Sequence, residues 1–385
     1  MPTPPSPLQL PTVAVRGPGG PTHPGAPVVF PLVQSVNYLQ QVGTEAGLLY
    51  PRYGNAPNAE RVQATIAALE GTEAALLLAS GQGATACALL ALLRPGDHLL
   101  ASDWIYGGTR ALFLEQFPTM GIEVTLVDPT ASRGWRQQVR KETRAIFVES
   151  PVNPTTRVLD VRQLHRLAAE SGLALVVDST FASPVNFRPV AHGADVVIHS
   201  ATKYLNGHHD VLAGVVAGST PYIEEVRGRM ILWGQAPDPF AAWLLERGLK
   251  TLDVRVKRHN ENAMRLAQWC AAHPSVASVL YPGLGSHPDH DVARATLAGY
   301  GGMMALVLKG GGPAAERFVS RLSVITHAPS LGGVDSLVSE PRYTSHARLT
   351  PEERTAAGIP DGFVRISVGI EDIADLIADV QRALG

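Results

Sequence analysis

The chain has 385 residues, 45% of them hydrophobic, and a formal net charge of -2 at pH 7. This length favours two domains, and the near-neutral charge predicts binding to neither nucleic acid nor an anionic membrane. The two cysteines, Cys87 and Cys270, lack the spacing of a zinc site and indicate no disulfide framework. No apolar run is long enough to span a bilayer and no secretory signal is visible, so we expect a cytoplasmic protein.

The N-terminal stretch is rich in proline, with ten prolines within residues 1–31. Such a composition disfavours helix, so an extended arm without a helix is predicted here. Two interpretations remain open at this point, a mobile tail and an arm that lies on a neighbouring subunit.

From about residue 60, helices and apolar strands alternate. Helices are predicted over 61–70, ending at Gly71, and over 84–93. Strands are predicted over 74–78, 98–101, 123–127, 145–148, 173–177 and 195–198. Several of these are continuous apolar runs, typical of strands covered on both faces in a parallel sheet. The pattern predicts a doubly wound α/β domain, in which ligands bind beyond the carboxyl ends of the strands.

The remaining third of the chain predicts a smaller α+β domain. It holds a long predicted helix over 241–272, strands over 303–308, 323–325 and 363–368, and a final helix over 371–384. Basic residues of the long helix, Arg255, Lys257 and Arg258, are interpreted as a solvated helix face or a subunit contact.

Polar residues follow several of the predicted strands. Gly81 and Gln82 lie between a strand and a helix, where backbone N–H groups either seat a phosphate or form an ordinary turn. Asp178 ends a buried strand, either as a cap or as a carboxylate that pairs with a cationic nitrogen. Tyr106 precedes two glycines, so a flat ligand can approach its ring, unless it is simply a surface aromatic residue.

Lys203 follows a short apolar strand within the sequence Ser-Ala-Thr-Lys. Partial desolvation there favours the neutral, nucleophilic amine near pH 7. A lysine, a carboxylate, a phosphate seat and an aromatic ring are the groups that bind pyridoxal 5′-phosphate (PLP). The sequence therefore predicts PLP as the cofactor, with Lys203 as the lysine that forms an imine with it.

These segments, in this order, resemble the PLP-dependent enzymes of Cys/Met metabolism, the transsulfuration family. The similarity runs from about residue 12 to the end and is carried by SATKYLNGHHDVLAG, VVDSTFASP, ESPVNPT, YGGT, LKTLDVRVKRHNENA, SLGGVDSL and VRISVGIED. It implies fold-type I, a mostly parallel sheet in a large cofactor domain with a smaller α+β C-terminal domain. The implied boundaries are an arm over 1–58 that contributes to a neighbouring subunit, a PLP domain over 59–240 and a C-terminal domain over 241–385.

The resemblance also implies roles for individual residues. Lys203, Tyr106 and Asp178 would be catalytic, and Asn153, Ser330 and Arg365 would bind the substrate, Arg365 by clamping its α-carboxylate. The implied cofactor contacts are Gly81, Gln82, Tyr106, Asp178, Thr180, Ser200, Thr202 and Lys203, together with Tyr50 and Arg52 from the neighbouring subunit. A homo-oligomer with shared active sites follows, a dimer of dimers, with a small amino acid as substrate.

The implied activity is γ-elimination or γ-replacement on a sulfur-containing amino acid or an O-acylhomoserine, as in cystathionine γ-lyase and γ-synthase. Methionine γ-lyase, cystathionine β-lyase and O-acetylhomoserine sulfhydrylase remain alternatives. Gly108 occupies a position where methionine γ-lyases characteristically have cysteine, which disfavours that activity. Ala111 and Pro329 occupy positions where cystathionine enzymes often have arginine and glutamate, which disfavours cystathionine unless another cation such as Arg110 binds its distal carboxylate.

A metal-binding interpretation of the histidine-rich loops is the contrasting hypothesis. The candidate ligands are His208, His209 and Asp210, or His287 and His290. Neither group has a completing ligand at a usual spacing, so no metal is predicted.

Overall fold

The computed structural model describes residues 8–19, 23–44, 47–130, 134–344, 347 and 349–385. These residues form a seven-stranded sheet followed in the chain by a five-stranded sheet. The strands are β1 (Ala74–Leu78), β2 (His98–Ser102), β3 (Glu123–Val127), β4 (Thr143–Glu149), β5 (Ala174–Asp178), β6 (Val196–Ser200), β7 (Gly214–Gly218), β8 (Val276–Leu280), β9 (Met303–Leu308), β10 (Thr326–His327), β11 (Leu337–Ser339) and β12 (Phe363–Ser367).

The helices cover both faces of the first sheet and one side of the second. They are α1 (Leu10–Arg16), α2 (Pro57–Glu70), α3 (Gly81–Leu92), α4 (Gly107–Ala111), α5 (Gly134–Gln137), α6 (Val161–Ser171), α7 (Ser183–Asn186), α8 (Thr220–Trp233), α9 (Pro239–Leu249), α10 (Leu252–Ala271), α11 (His290–Thr296), α12 (Gly311–Arg321), α13 (Pro351–Ala356) and α14 (Ile373–Leu384). A single turn of π-helix, 112–116, continues α4, and 3-10 turns lie at 51–53, 117–120, 189–192 and 341–343.

The seven-stranded sheet has the order β1-β7-β6-β5-β4-β2-β3, with parallel pairing from β6 through to β3. The predicted α/β class and the smaller mixed sheet are both confirmed. The sequence did not predict β7, which pairs antiparallel with β1 and β6. Its three central residues are bounded by glycines, and an added Cβ on Gly214 would lie 2.1 Å from the Ser80 carbonyl oxygen. Glycine is therefore required where β7 passes the turn that follows β1.

Along each strand of the seven-stranded sheet, side chains alternate between the two faces of the sheet, and helices bury both faces. Leu76, Val176 and Ile198 pack under α3 and α8, whereas Leu77 and Val197 face α2 and α9. The strand registers place Glu149 beside Asp178, and Asp178 beside Ile198, two residues before the end of β6. The carboxyl ends of β4, β5 and β6 therefore present their polar residues along one edge.

The absence of helix predicted for the N-terminal arm is wrong, because α1 lies within it. Pro11 falls in the first turn of α1, where the missing N–H has no intrahelical partner and costs nothing. Ala14 is buried, and Leu10 and Val13 pack against the α2–α9 side of the core. Burial of these apolar side chains stabilises the short helix. The average composition of residues 1–31 does not show this local apolar stripe.

The long helix predicted over 241–272 is two helices, α9 and α10, separated at Lys250 and Thr251. An added Cβ on Gly248, in the last turn of α9, would lie 2.4 Å from the Asn206 carbonyl oxygen. Arg255 is buried rather than part of a solvated face, and it donates to the Gly248 and Tyr204 carbonyls at 2.8 Å each. The break between the helices thus packs against the chain that follows Lys203.

The five-stranded sheet has the order β10-β11-β12-β9-β8. Strands β9 and β12 confirm two predictions, but the strand predicted over 323–325 is wrong. The backbone N–H groups of Ser323, Val324 and Ile325 donate to the Asp379 carboxylate at 2.9 to 3.0 Å, so they are not available to a strand ladder. The strand starts at Thr326 instead.

Two features are absent from the described residues: a helix that could span a membrane and a cluster of metal-ligating side chains. In this part of the chain no helix is both long enough and apolar enough to cross a lipid bilayer. Across the same residues, no three His, Cys, Asp or Glu side chains gather as a metal site would require.

Candidate active site

A cavity of about 1160 Å³ opens at the carboxyl ends of β4, β5 and β6, between the two sheets. Most of the residues predicted for the site line it: Gly81, Gln82, Tyr106, Asn153, Asp178, Thr180, Ser200, Thr202, Lys203, Ser330 and Arg365. Tyr50 and Arg52 are not among the described residues that line this cavity. In a single chain they form a surface turn, where the Arg52 guanidinium lies 5.8 Å from the Tyr50 ring centre.

Lys203 lies three residues after the end of β6, at the bottom of the cavity. Its Nζ donates to the Ser330 hydroxyl at 2.8 Å. Burial, together with the nearby positive charge of Arg365, lowers the pKa of Lys203 to about 8. A substantial neutral fraction of the amine therefore exists near neutral pH, as a nucleophile or base requires.

Arg255 braces the backbone directly after Lys203. Its guanidinium donates to the carbonyls of Tyr204 at 2.8 Å and Leu205 at 3.3 Å, and its Nε donates to the Thr251 hydroxyl at 3.0 Å. This role of Arg255 was not apparent from the sequence, because the spacing of basic residues in α10 does not show that one arginine points inward.

Asp178 presents a half-buried carboxylate to the cavity. Its Oδ1 accepts hydrogen bonds from the Thr180 backbone N–H at 2.9 Å and from the Thr180 hydroxyl at 2.5 Å. Burial raises the pKa of Asp178, and the bonds from Thr180 act against that rise. Both bonds reach the same oxygen, so Oδ2 remains for a cationic nitrogen placed in the cavity.

The N-terminus of α3 forms one wall of the cavity. Ser80 Oγ accepts the Gly83 N–H at 3.0 Å, which leaves the N–H groups of Gly81 and Gln82 at the positive end of the helix dipole. An added Cβ on Gly81 would lie 2.7 Å from the Ser200 Cβ, so this wall admits no side chain. Open amides facing a serine hydroxyl are suited to a phosphate.

Thr202, also predicted to contact the phosphate, has a hydroxyl that is already engaged. It donates to the Ala213 carbonyl at 3.2 Å and accepts the Ala213 N–H at 3.1 Å. These bonds fix the chain between β6 and β7 on either side of Lys203. In this arrangement Thr202 positions the loop as well as lining the cavity.

Tyr106 places a ring that is 47% exposed at the cavity wall. Its backbone N–H donates to Glu149 Oε2 at 2.9 Å, and Gln82 Nε2 donates to the Gly108 carbonyl at 3.0 Å. An added Cβ on Gly108 would lie 2.6 Å from Tyr106 Cε1. Glycine at position 108 therefore allows the ring its present orientation, and a cysteine would displace it.

Arg365, in the middle of β12, is the second buried cation of the cavity, at 7% exposure. Its guanidinium donates to Asn153 Oδ1 at 2.9 Å and to the Ser330 carbonyl at 2.9 Å, and burial lowers its pKa to about 10. Its Nε is buried without a partner among the described residues. The donor set of this arginine is thus incomplete, as expected for a side chain that binds a carboxylate.

Ser330 connects the two cations. Its hydroxyl accepts from Lys203 Nζ, and its carbonyl accepts from Arg365. The backbone of Ser330 has a φ of +88°, an unfavourable conformation for a residue other than glycine. In this backbone conformation the hydroxyl oxygen of Ser330 faces Lys203 and its carbonyl oxygen faces Arg365.

Away from the cofactor end most of the cavity wall is apolar, formed by Val211, Leu212, Ala328, Pro329 and Leu331, with His209 and Asp210 beside them. Among the described lining residues, Lys203 and Arg365 are the lysine and arginine side chains. Arg110, considered as a partner for a distal carboxylate, instead forms an ion pair with Asp103 at the surface. The wall therefore offers little to a second charged group.

Glu149 is the site residue whose importance the sequence did not reveal. It ends β4 as Asp178 ends β5. The shared strand-end position was the available signal, because carboxyl ends of neighbouring parallel strands meet at one edge.

The chain is similar to known enzymes over nearly its whole length. A sequence profile of the Cys/Met metabolism PLP-dependent enzyme family matches residues 12–385. The chain is 42% identical to the L-methionine γ-lyase of Pseudomonas putida, over 94% of this chain and 92% of that protein. It is 41% identical to the cystathionine γ-synthase of Mycobacterium leprae, over 93% and 92% of the two chains.

Solved structures show the same relationship. A cystathionine γ-synthase from Xanthomonas oryzae pv. oryzae, in complex with aminoacrylate and cysteine, superposes with a TM-score of 0.94 at 36% identity, over 98% of both chains. With the PLP-type site geometry, these similarities show that the chain belongs to the Cys/Met metabolism family of PLP-dependent enzymes and that PLP is its cofactor.

Proposed function

We propose that this chain catalyses γ-elimination or γ-replacement on a sulfur-containing amino acid or an O-acylhomoserine. The observation that carries the proposal is the pair of bonds made by Ser330. Its hydroxyl holds the amine of Lys203 and its carbonyl holds Arg365. A proton-transferring amine and a carboxylate clamp thus lie side by side, as chemistry at the α-carbon of an amino acid requires.

The described residues fit PLP. Lys203 would bind the PLP aldehyde covalently, Oδ2 of Asp178 would accept a hydrogen bond from the protonated ring nitrogen of PLP, and Tyr106 would stack on the PLP ring. The open amides of Gly81 and Gln82, with Ser200, would hold the phosphate. When bound, the cofactor supplies an electron sink that stabilises the negative charge left when a proton leaves the α-carbon.

Arg365 acts first on the substrate, by binding its α-carboxylate with Asn153 beside it. This fixes the amino group and the α-hydrogen relative to Lys203. With PLP bound, Lys203 Nζ would be displaced by the substrate amine and become free as a base. Held near Ser330 Oγ, it would remove the α-proton, pass that proton to the bound cofactor and, neutral again, remove a proton from the β-carbon, after which the γ-substituent would leave.

Tyr106 would protonate the leaving group, an assignment supported by its half-exposed ring, which lines the cavity. In elimination, water completes the reaction and yields a 2-oxo acid and ammonia. In replacement, a thiol adds at the γ-carbon and Lys203 returns the protons.

A substrate with an uncharged γ-substituent fits the apolar wall better than cystathionine does. Leu212 and Leu331 offer no charged partner to a distal ammonium or carboxylate, Arg110 is bound to Asp103, and the ionisable lining residues beside Leu212 in the chain are His209 and Asp210. An uncharged γ-substituent needs no such partner. This observation favours a methionine γ-lyase activity, or an acylhomoserine substrate, as the second candidate, although Gly108 occupies the position where methionine γ-lyases have cysteine.

Product identification tests the proposal directly. Purified holoenzyme is incubated separately with cystathionine, methionine, homocysteine, cysteine, and an O-acylhomoserine with cysteine. We expect 2-oxobutanoate, or a new thioether amino acid, from at least one γ-substituted substrate. Pyruvate as the sole 2-oxo acid across the panel would show β-chemistry and contradict the proposal.

We also propose that the arm over residues 1–58, whose helix α1 packs on its own core, contributes Tyr50 and Arg52 to the phosphate site of a neighbouring subunit. Arm residues such as Val28, Leu39 and Val42 are strongly exposed in the single chain, which supports burial against a second copy.

Subunit mixing tests this arrangement. Lys203→Ala and Arg52→Ala variants are each expected to have little activity, and mixed oligomers to regain it, because one site then combines an intact Lys203 with an intact Arg52 from the other chain. If mixing restores nothing while mass measurement shows mixed oligomers, Arg52 does not act across subunits.

A further inference from the structure

Glu149 borders the active-site cavity but has no role in the proposed reaction. It ends β4, is 5% exposed, and lies directly across the strand pair from Asp178. It lines the cavity but faces the two loops that follow β2 and β4 rather than the middle of the cavity.

Each oxygen of this carboxylate holds a different loop. Oε2 accepts the backbone N–H of Tyr106 at 2.9 Å, and Oε1 accepts the backbone N–H of Asn153 at 2.7 Å. Asn153 in turn accepts a hydrogen bond from Arg365 at 2.9 Å through its side chain. The stacking ring and the carboxylate clamp are therefore linked through one buried side chain.

We propose that Glu149 is a positioning residue that sets the spacing between Tyr106 and the Asn153–Arg365 pair, and thereby the enzyme's preference for substrates that carry an α-carboxylate. This inference rests on the carboxylate-binding role proposed for Arg365.

The chemistry of the two bonds requires a carboxylate. Both partners are N–H donors, so both oxygens must accept, and an ionised carboxylate is the side-chain group that does so at both ends. Glutamine has the same shape, but its side-chain amide has one accepting oxygen and one donating NH₂ group. The NH₂ group would therefore face the backbone N–H of Tyr106 or Asn153, donor against donor. Burial and the neighbouring charge of Asp178 raise the pKa of Glu149, and the bonds from the Asn153 and Tyr106 N–H groups act against that rise.

The test compares unreactive ligands that differ only in the carboxylate. The affinities of wild-type and Glu149→Gln holoenzyme for L-norleucine and for pentylamine are measured by the change in cofactor absorbance. We expect the ratio of the two affinities to fall about tenfold or more in the variant, because one charge-assisted bond to the clamp is lost. The affinity of the apoenzyme for PLP is expected to fall as well, since the Tyr106 loop is released.

Glu246→Gln serves as the matched control. Glu246 is also buried, accepts from Arg61 Nε at 3.1 Å, and lies outside this cavity. It is expected to change thermal stability without changing the ratio. A parallel loss of affinity for both ligands in Glu149→Gln, or no loss for either, would overturn the inference. A wild-type enzyme without preference for norleucine would overturn both this inference and the role of Arg365, whereas failure to form γ-products would affect only the proposed reaction.

Two further measurements apply if Glu149→Gln does not fold. Glu149→Asp keeps the charge but draws the carboxylate back by one methylene, so the ratio is expected to fall here too; an unchanged ratio would contradict the inference. In the wild-type holoenzyme, hydrogen–deuterium exchange is expected to be slow at the amides of Tyr106 and Asn153. Fast exchange at either amide would show that the bond is absent and would overturn the inference.

Discussion

The two ends of the active-site cavity are built differently. At the cofactor end, half-buried polar side chains at and beyond the carboxyl ends of the strands are hydrogen-bonded to one another, as Asp178 is to Thr180 and Lys203 is to Ser330. At the other end, Leu212 is 73% exposed and Pro329 belongs to a loop. A change at the first end removes a bond for which the surroundings supply no substitute, whereas a change at the second alters a surface that water already reaches.

The difference separates the chemistry common to a family from the selection of a substrate. Relatives with different activities, a methionine γ-lyase and a cystathionine γ-synthase, are 42% and 41% identical to this chain. We propose that the contacts at the cofactor end would serve any of these reactions. The identity of the substrate would then depend on the few side chains at the apolar end and on whatever a neighbouring subunit adds.

The largest expected effect comes from Lys203→Ala. The variant should lose the absorbance of lysine-bound cofactor and at least about a thousandfold in kcat, because both the covalent link and the proton-transferring amine are removed. Lys309→Ala, at an exposed position in the turn after β9, is the matched control and should behave as the wild type. Turnover within tenfold of the wild type would show that another group moves the protons.

Arg365→Lys should have the next largest effect. Lysine keeps the charge but cannot reproduce the fork that binds Asn153, Ser330 and a carboxylate together, so we expect kcat/KM to fall about a hundredfold. Arg354→Lys, another buried arginine with its own ion pair to Asp361, controls for the loss of packing. Equal losses in the two variants would indicate a stability effect and not substrate binding.

The pH dependence of cofactor capture should sharpen the account of the cofactor end. The pKa of Lys203 lies below its ordinary value, at about 8, so the reactive neutral amine increases as the pH rises through 8. The rate at which apoenzyme binds PLP should therefore fall about tenfold for each pH unit below 8 and level off above it. Stopped-flow absorbance measures this rate, and a curve that still rises beyond pH 10 would mean that burial does not lower the pKa.

The smallest effect is expected at the apolar end, from Leu212→Arg. A cation at this exposed position can pair with a distal carboxylate, but exposed ion pairs contribute little. We expect kcat/KM for cystathionine relative to methionine to rise about two- to fivefold, without loss of bound cofactor. A change larger than a hundredfold, or loss of the cofactor, would show that this wall is part of the rigid site after all.

The cofactor end could be predicted from sequence because its residues follow regular elements. Asp178 and Ser200 end apolar strands whose parallel order can be inferred, and that order alone brings them together. What escaped prediction depends on long-range contacts: β7 requires Gly214 beside the Ser80 carbonyl, and Asp379 binds three amides more than fifty residues away. The inward direction of Arg255 and the two bonds of Glu149 are of the same kind, since no local pattern encodes them.

Identification of the lysine that carries the cofactor tests the central claim most directly. The chain has five lysines, at positions 141, 203, 250, 257 and 309, and of these Lys203 is the one that lines the described cavity. Holoenzyme is reduced with borohydride, digested and analysed by mass spectrometry. The account predicts a phosphopyridoxyl group on the peptide that contains Lys203 and on no other. The same modification on Lys141, Lys250, Lys257 or Lys309, with Lys203 unmodified, would contradict it.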